Sequence, residues 1–220
     1  MNTIPHIQAQ PDWSTVTGES INGTRDGGIP TLTLSQRPAP LVIAIEGVPG
    51  NYADGVARSA DIPIPPNTGH ALLTVEFSLD EASLEFAQAL EMGAKFTLPS
   101  GLTLNGQLQF DYSRSATEMT LDLTSVNGYA WAPSPVSLPK FAPNQPHTVA
   151  IAYALWDKDI AVPSVSVDGK VYNMPAEMQG VPGRDLKWGK NAFMVNIQPD
   201  TNPKGGAWNW TLLDVAMAWT

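Results

Sequence analysis

The sequence predicts an all-β sandwich of antiparallel sheets, and three observations carry that prediction. Glycine (18) and proline (20) are spread along all 220 residues, which suits many short strands joined by turns and argues against long helices. Apolar and polar residues alternate in successive runs, as they do on half-buried strands. The Asp168-Gly169 step between two such runs signals a tight hairpin turn. With 43% hydrophobic residues the chain can bury a full core, and sandwiches of this length commonly form one unit, so a single domain over 1–220 is expected.

Residues 1–30 are polar and turn-rich and are expected to form an N-terminal arm, with Trp13 anchoring it to the body. Thr31–Leu34 and Leu41–Glu46 are the first clear strands, separated by the Pro38-Ala39-Pro40 break. Ala71–Leu79 reads as a buried strand. From Asp80 to Ala94 the pattern by itself suits a helix, with Asp80 as an N-cap candidate before good helix formers. In the next strand Gln107, Gln109 and Asp111 share one face and Leu108, Phe110 and Tyr112 the other. Met119–Leu123 and Tyr129–Trp131 are shorter strands, and the proline-rich run 133–146 is expected to be a connecting loop. Near the C-terminus Met194, Asn196 and Gln198 alternate with Phe193, Val195 and Ile197, and a last strand spans Trp208–Trp219.

Two segments then combine. His147-Thr-Val-Ala-Ile-Ala-Tyr153 leads to Pro163-Ser-Val-Ser-Val-Asp-Gly-Lys-Val-Tyr172, two strands of one antiparallel sheet. A His-x-Val-Ala-x-x-Tyr strand followed by a Val-x-Val-Asp-Gly-Lys hairpin resembles the core of the concanavalin A-like lectin/glucanase superfamily. Gln88–Phe96, with Glu91 at its centre, resembles that superfamily's glutamate-bearing strand, and Trp208–Trp219 resembles its terminal Leu-Asp-x-Val strand. The resemblance covers about residues 86–219. It implies a jelly roll of two curved antiparallel sheets, with a helical turn at about 80–84 and a strand at about 86–93 in place of a long helix.

The resemblance also implies sugar on the concave face of one sheet, where the alternating polar residues Gln107, Gln109, Asn196 and Gln198 would converge with Glu91 and Asp111. Planar amides and carboxylates pair well with adjacent hydroxyls. The competing reading is an ordinary solvated sheet face. Among seven tryptophans, Trp131, Trp156 and Trp188 fall at expected loop positions and could stack on pyranose rings, while Trp208, Trp210 and Trp219 are expected in the core.

The partner expected is a neutral poly- or oligosaccharide. A net charge of −9 with only 12 scattered Lys and Arg argues against nucleic acid, acidic membrane surfaces and polyanionic sugars, though a local basic pocket can override the global sign. No stretch approaches a membrane span. The first residues lack the basic and apolar regions of a secretory leader, and the absence of cysteine suits both the cytoplasm and an exported protein without disulfides.

Catalysis is the alternative expectation. Retaining glucanases of the superfamily carry Glu-x-Asp-x-Glu on one strand, a pattern this chain lacks, which leaves Glu91 and Asp111 on separate strands as the acid and base to test. Glu76 is the only other carboxylate considered. The lyase triplet Gln-(Ile/Val)-His finds only Gln145-Pro146-His147, and His147, in phase with Val149, Ile151 and Tyr153, is read as structural. A laminin-G-like protein-interaction module is the third reading. No cofactor is expected. Asp157-Lys158-Asp159 offers oxygen ligands that calcium accepts, but without EF-hand spacing its plainer reading is a solvated turn.

Overall fold

A computed structural model describes residues 1–17, 30–35, 40–50, 52–65, 68–98, 101–124, 131–156, 159–175, 181–182 and 192–220. Its strands are β1 (Asn2–Ile4), β2 (Ser14–Thr17), β3 (Thr31–Ser35), β4 (Leu41–Gly47), β5 (Ala53–Arg58), β6 (Ile62–Pro63), β7 (His70–Leu79), β8 (Ala87–Thr97) and β9 (Thr103–Asp111). They continue as β10 (Glu118–Thr124), β11 (Trp131–Pro139), β12 (His147–Leu155), β13 (Asp159–Val167), β14 (Lys170–Asn173), β15 (Val181–Pro182), β16 (Ala192–Thr201) and β17 (Gly206–Trp219).

Among the described residues these strands make two antiparallel sheets. The first runs β14-β13-β12-β7-β17-β4-β3, with β1 added to β17 and β15 to β13; the second runs β11-β10-β9-β8-β16-β5-β2, with β6 added to β16. Between them lies one apolar cluster to which Leu73, Val75, Phe77, Leu90, Met92, Phe96, Leu108, Phe110, Val195 and Trp210 contribute, all fully buried. Each such aliphatic or aromatic side chain stabilises the fold by about 1.5–3 kcal/mol relative to exposure. The expected all-β sandwich is the observed one, and Trp208, Trp210 and Trp219 are buried as expected.

Three expectations change in detail. The 80–94 segment makes a single helical turn, α1 (Ser83–Phe86), before β8, which runs to Thr97. Asp80 Oδ1 accepts from the Ser83 backbone N–H at 3.2 Å, so its capping tendency is spent on one turn, and the pairing of β8 with β9 and β16 claims the rest. Proline-rich 133–139 is strand, not loop. β11 ends the path of its sheet, and an edge strand tolerates Pro133, Pro135 and Pro139 because one row of its N–H groups has no ladder partner to lose. Residues 1–17 are woven into both sheets through β1 and β2, and Trp13, buried in the core, donates its indole N–H to the Ile7 carbonyl of the same segment at 2.9 Å. The rest of the expected arm, 18–29, lies outside the described residues.

The hairpin that carried the resemblance is locked by His147. Its Nδ1 meets Asp168 Oδ2 and its Nε2 meets the Ala142 carbonyl, both at 2.8 Å. Both partners are acceptors, so a neutral tautomer satisfies one contact and the imidazolium satisfies both. Asp168 also accepts from the Thr148 backbone N–H at 2.8 Å, and it takes the left-handed conformation (φ 48) that a two-residue turn with Gly169 requires. Phe141 and Phe77 pack on the ring, with centroids 4.9 and 5.9 Å away. The histidine is structural, as its phase in the strand indicated.

Tyr153, also on β12, crosses the sandwich. Its hydroxyl donates to the Gly106 carbonyl at 2.9 Å and accepts from the Ala94 N–H at 3.1 Å. Ala94 and Gly106 are paired residues of β8 and β9, so one phenol from the first sheet ties two strands of the second. Burial pushes the phenol far above its usual range, against a smaller pull from the Ala94 hydrogen bond, and it stays neutral and able to donate. Gly106 is required beneath it: a Cβ there would lie 2.4 Å from Tyr153 Cε1.

Replacing Tyr153 with Phe should cost about 2–4 kcal/mol, because two buried backbone groups lose their partner while the ring still packs; the midpoint of a urea titration checks this. His147→Leu, which leaves an apolar side chain against Phe141 but removes the two ring-nitrogen hydrogen bonds, should cost about 1–3 kcal/mol in the same assay.

Candidate functional site

The alternation that buries Leu90, Met92, Ala94 and Phe96 of β8 turns Glu91, Gly93 and Lys95 to the outer face of the second sheet. On β9, Leu104, Leu108 and Phe110 face inward and Gln107, Gln109 and Asp111 outward. On β16, Val195 and Ile197 face inward and Asn196, Gln198 and Asp200 outward. Register then aligns these residues across strands. Asp122 of β10 pairs with Gln109, Gln109 with Glu91, and Glu91 with Gln198, forming one row over four strands. Gln107, Gly93, Asn196 and Arg58 of β5 form the row on one side; Thr120, Asp111, Ala89, Asp200 and Asp54 form the row on the other.

Six of the nine residues considered for the sugar site, Glu91, Gln107, Gln109, Asp111, Asn196 and Gln198, therefore stand together on one face. Trp131 begins β11 opposite Thr124 at the far edge of that sheet and is half-buried. Trp188 lies outside the described residues, as does Asp157 of the loop considered for calcium, while Asp159 begins β13. Trp156 is 55% exposed. Among the described residues, no group of three or more His, Cys, Asp and Glu is placed to hold a metal.

This face is not an ordinary wet sheet surface. Glu91, Gln109 and Asp111 are each 5% exposed, Gln107 and Gln198 7%, and Asn196 2%. Polar groups so sheltered need partners. Gln198 Nε2 donates to Asp200 Oδ1 at 3.2 Å. Asn196 Oδ1 has no hydrogen-bond partner among the described residues.

Asp111 is held by three donors. Its Oδ1 accepts from the Ser113 N–H at 2.8 Å and the Ser113 hydroxyl at 2.6 Å, and its Oδ2 accepts from Arg114 Nε at 2.8 Å. Arg114 reaches further, donating from Nη2 to Asp122 Oδ2 at 2.9 Å. Burial pushes the Asp122 carboxyl up from the usual range; Arg114 pulls it back and Asp111 adds to the rise. Glu91 is diagonal to Asp111 across β8 and β9, at about 7–8 Å by the usual spacing of such neighbours.

Sequence reasoning missed Asp122, Asp200, Arg58 and Lys95. Asp122 was legible, since Thr120 and Asp122 share the phase opposite Leu121 and Leu123. Asp200 follows Gln198 by the same period of two, past the point where the strand was expected to stop. Arg58 had no local signal, because only its pairing with Asn196, far along the chain, brings it to this face.

Replacing Arg114 with Met should cost about 1–2 kcal/mol at neutral pH, a buried-pair loss reduced because Arg114 is 43% exposed. An Asp whose folded pKa is raised binds its proton more tightly in the folded state. The variant's deficit should therefore shrink as acidification protonates Asp122, which urea titrations at neutral and acid pH would detect.

No protein-family model matches the chain, and no curated protein matches it in sequence. Solved structures match in fold. Lectin I from Ulex europaeus, crystallised with the methyl glycoside of α-L-fucose, is 12% identical with a TM-score of 0.57, covering 100% of this chain and 98% of its own. A Lotus tetragonolobus seed lectin is 11% identical at 0.55, with the same coverage, and the Emp47p carbohydrate recognition domain is 12% identical at 0.55, covering 98% and 93%. At these identities the likeness speaks for the fold. The chain has the concanavalin A-like jelly-roll fold that the hairpin, the glutamate-bearing strand and the terminal strand implied.

Proposed function

We propose that this protein is a glycan-binding module that holds a neutral poly- or oligosaccharide on the outer face of the second sheet. The observation that carries the reading is the aligned row Gln109, Glu91 and Gln198, with Gln107 and Asn196 in the next row. Glu91 stands one strand from Gln109 on one side and from Gln198 on the other, each step about 4.8 Å, so the carboxylate and the two flanking amides can reach hydroxyls of one bound sugar. The fold neighbours support the reading: two are lectins, one crystallised with a fucoside, and a third is a carbohydrate recognition domain.

The charge on the face supports a neutral ligand. Arg58, Lys95 and Arg114 stand among Glu91, Asp111, Asp122, Asp200 and Asp54, so neither sign prevails strongly enough to select a polyanion. Binding is favoured over glycoside cleavage because three donors already converge on Asp111, the proposed partner of Glu91 in catalysis. Trp131 at the edge of the sheet and Trp188 are the aromatic platforms of this reading.

A glycan array and polysaccharide pull-down, run with and without calcium and followed by a product assay on any hit, test the proposal. Saturable binding without turnover is expected. Gln109→Ala combined with Gln198→Ala should lower retention at least tenfold while leaving the thermal midpoint within a few degrees. Unchanged retention in that folded double variant would remove the site from this face, and release of reducing ends or unsaturated product would make the protein an enzyme.

A further inference from the structure

The N-terminal segment completes one edge of β17 with a side chain. On the side of β17 away from β7, β4 pairs with Gly206–Leu212 and β1 with Met217–Trp219. Between those two partners β17 carries a bulge, where its register against β7 shifts between Leu212 and Asp214. Gln8 serves this stretch: its Nε2 donates to the Leu213 carbonyl at 2.9 Å and its Oε1 accepts from the Val215 N–H at 2.8 Å. One side-chain amide thus takes the place of a strand's backbone, as donor and acceptor at once. The bond to Val215 is buried, so its loss would strand an N–H away from water.

The local sequence accounts for this arrangement. β1 stops at Ile4, and Pro5 after it has no N–H to give to a ladder. His6 then turns the chain through the left-handed conformation (φ 57) into a 3₁₀ turn at Ile7–Ala9, from which the Gln8 amide reaches back to β17. Ile7 and Gln8 are buried, while Asn2, Thr3, Pro5 and His6 are exposed, and His6 Nδ1 meets Asp214 Oδ1 at 3.0 Å on the surface. Past Ala9 an exposed turn at Pro11-Asp12 leads to Trp13, which is buried in the core of the body. The edge of β17 therefore calls for a short strand, a proline break and a glutamine in this spacing. That pattern is the chain's own, and every second copy carries it. Residues 1–9 contain no Asp, Glu, Lys or Arg, so a copy with net charge −9 can present them without bringing like charge into the contact.

We propose that residues 1–9 are an exchangeable strap and that the edge of β17 from Leu213 to Trp219 is a strand-acceptor site. In the monomer the chain's own segment fills it; in a strand-swapped dimer the same segment of a second copy does. Opening at Gln10–Asp12 alters the hinge alone, because the β1 ladder, the two Gln8 bonds and the bond from Trp13 Nε1 to the Ile7 carbonyl are all remade between copies. The balance between the two forms is then set by concentration and by the hinge, independently of what the polar face of the second sheet binds.

The chain has no cysteine, so introduced thiols report without background. Thr3 and Ala218 are cross-strand partners, a relation that puts Cα atoms about 4.5–5.5 Å apart, within the span of a disulfide. The full chain carrying both Thr3→Cys and Ala218→Cys should close its disulfide internally when oxidised dilute, which verifies the register. Chains carrying one substitution each are then mixed at high concentration, held well below every melting point and oxidised. A dimer cross-linked between position 3 of one chain and position 218 of the other, identified by mass spectrometry, is expected. Adding Gln8→Ala to both chains should speed its formation at least tenfold, since the closed strap opens more readily. Adding Tyr153→Phe, which weakens the core instead, should leave the rate within about threefold. Equal acceleration by the two would mean exchange through global unfolding and would overturn the strap. So would internal closure of the double variant without any cross-link in the mixture. If the cysteine variants fail to fold, a fluorescein-labelled peptide of residues 1–10 decides by anisotropy. The full chain with Gln8→Ala should capture it, and the same peptide with Gln8→Ala should bind at least tenfold more weakly; no capture, or equal capture of both peptides, sinks the proposal.

Discussion

The hydroxyl of Tyr153 is the contact on which the arrangement of the two sheets depends. A sandwich is held mainly by non-directional apolar burial, which tolerates sliding of one sheet over the other. A phenol that donates to Gly106 and accepts from Ala94 does not tolerate it, because both groups are backbone and fully enclosed. The first sheet is thereby registered against β8 and β9, the strands that carry Glu91, Gln107 and Gln109. Gly106 completes the fit by leaving room for the ring, and Phe96 packs edge-on against it at 5.1 Å.

The polar face lies directly over that tie. Gly93 and Gln107 are the chain neighbours of Ala94 and Gly106, so the backbone at this part of the outer face is held from beneath by the same hydroxyl. The polar outer face and the core packing are then parts of one structure, because the backbone that carries Gln107 is fixed by a buried contact. At the far end of the rows, Arg114 holds Asp111 and Asp122 together, balancing two carboxylates that burial would otherwise destabilise.

Much of the fold was legible in local pattern. Period-two alternation gave the faces of β8, β9 and β16, and the Asp168-Gly169 turn gave the hairpin. Alternation assigns the six polar residues to the non-core side of their strands, and the pairing of β8 with β9 and β16 brings them together. One feature misled: proline was read as a loop signal over 133–139, although an edge strand loses no ladder bond to it. The helix formers after Asp80 suit a helix by local pattern, and the turn followed by a strand that the resemblance implied is what cross-strand pairing produces.

The sequence by itself determined the fold class, the absence of thiol chemistry and which residues of each strand point away from the core, since these follow from composition and from the geometry of a single extended chain. The tertiary structure alone decided which strands are neighbours. That choice set Asn196 beside Gly93 and Arg58, joined Arg114 to Asp122, and turned an expected wet surface into a sheltered polar one. Pairing partners can lie more than a hundred residues apart, as Arg58 and Asn196 do, and their register is set by the packing of the whole core, so no segment carries the information alone.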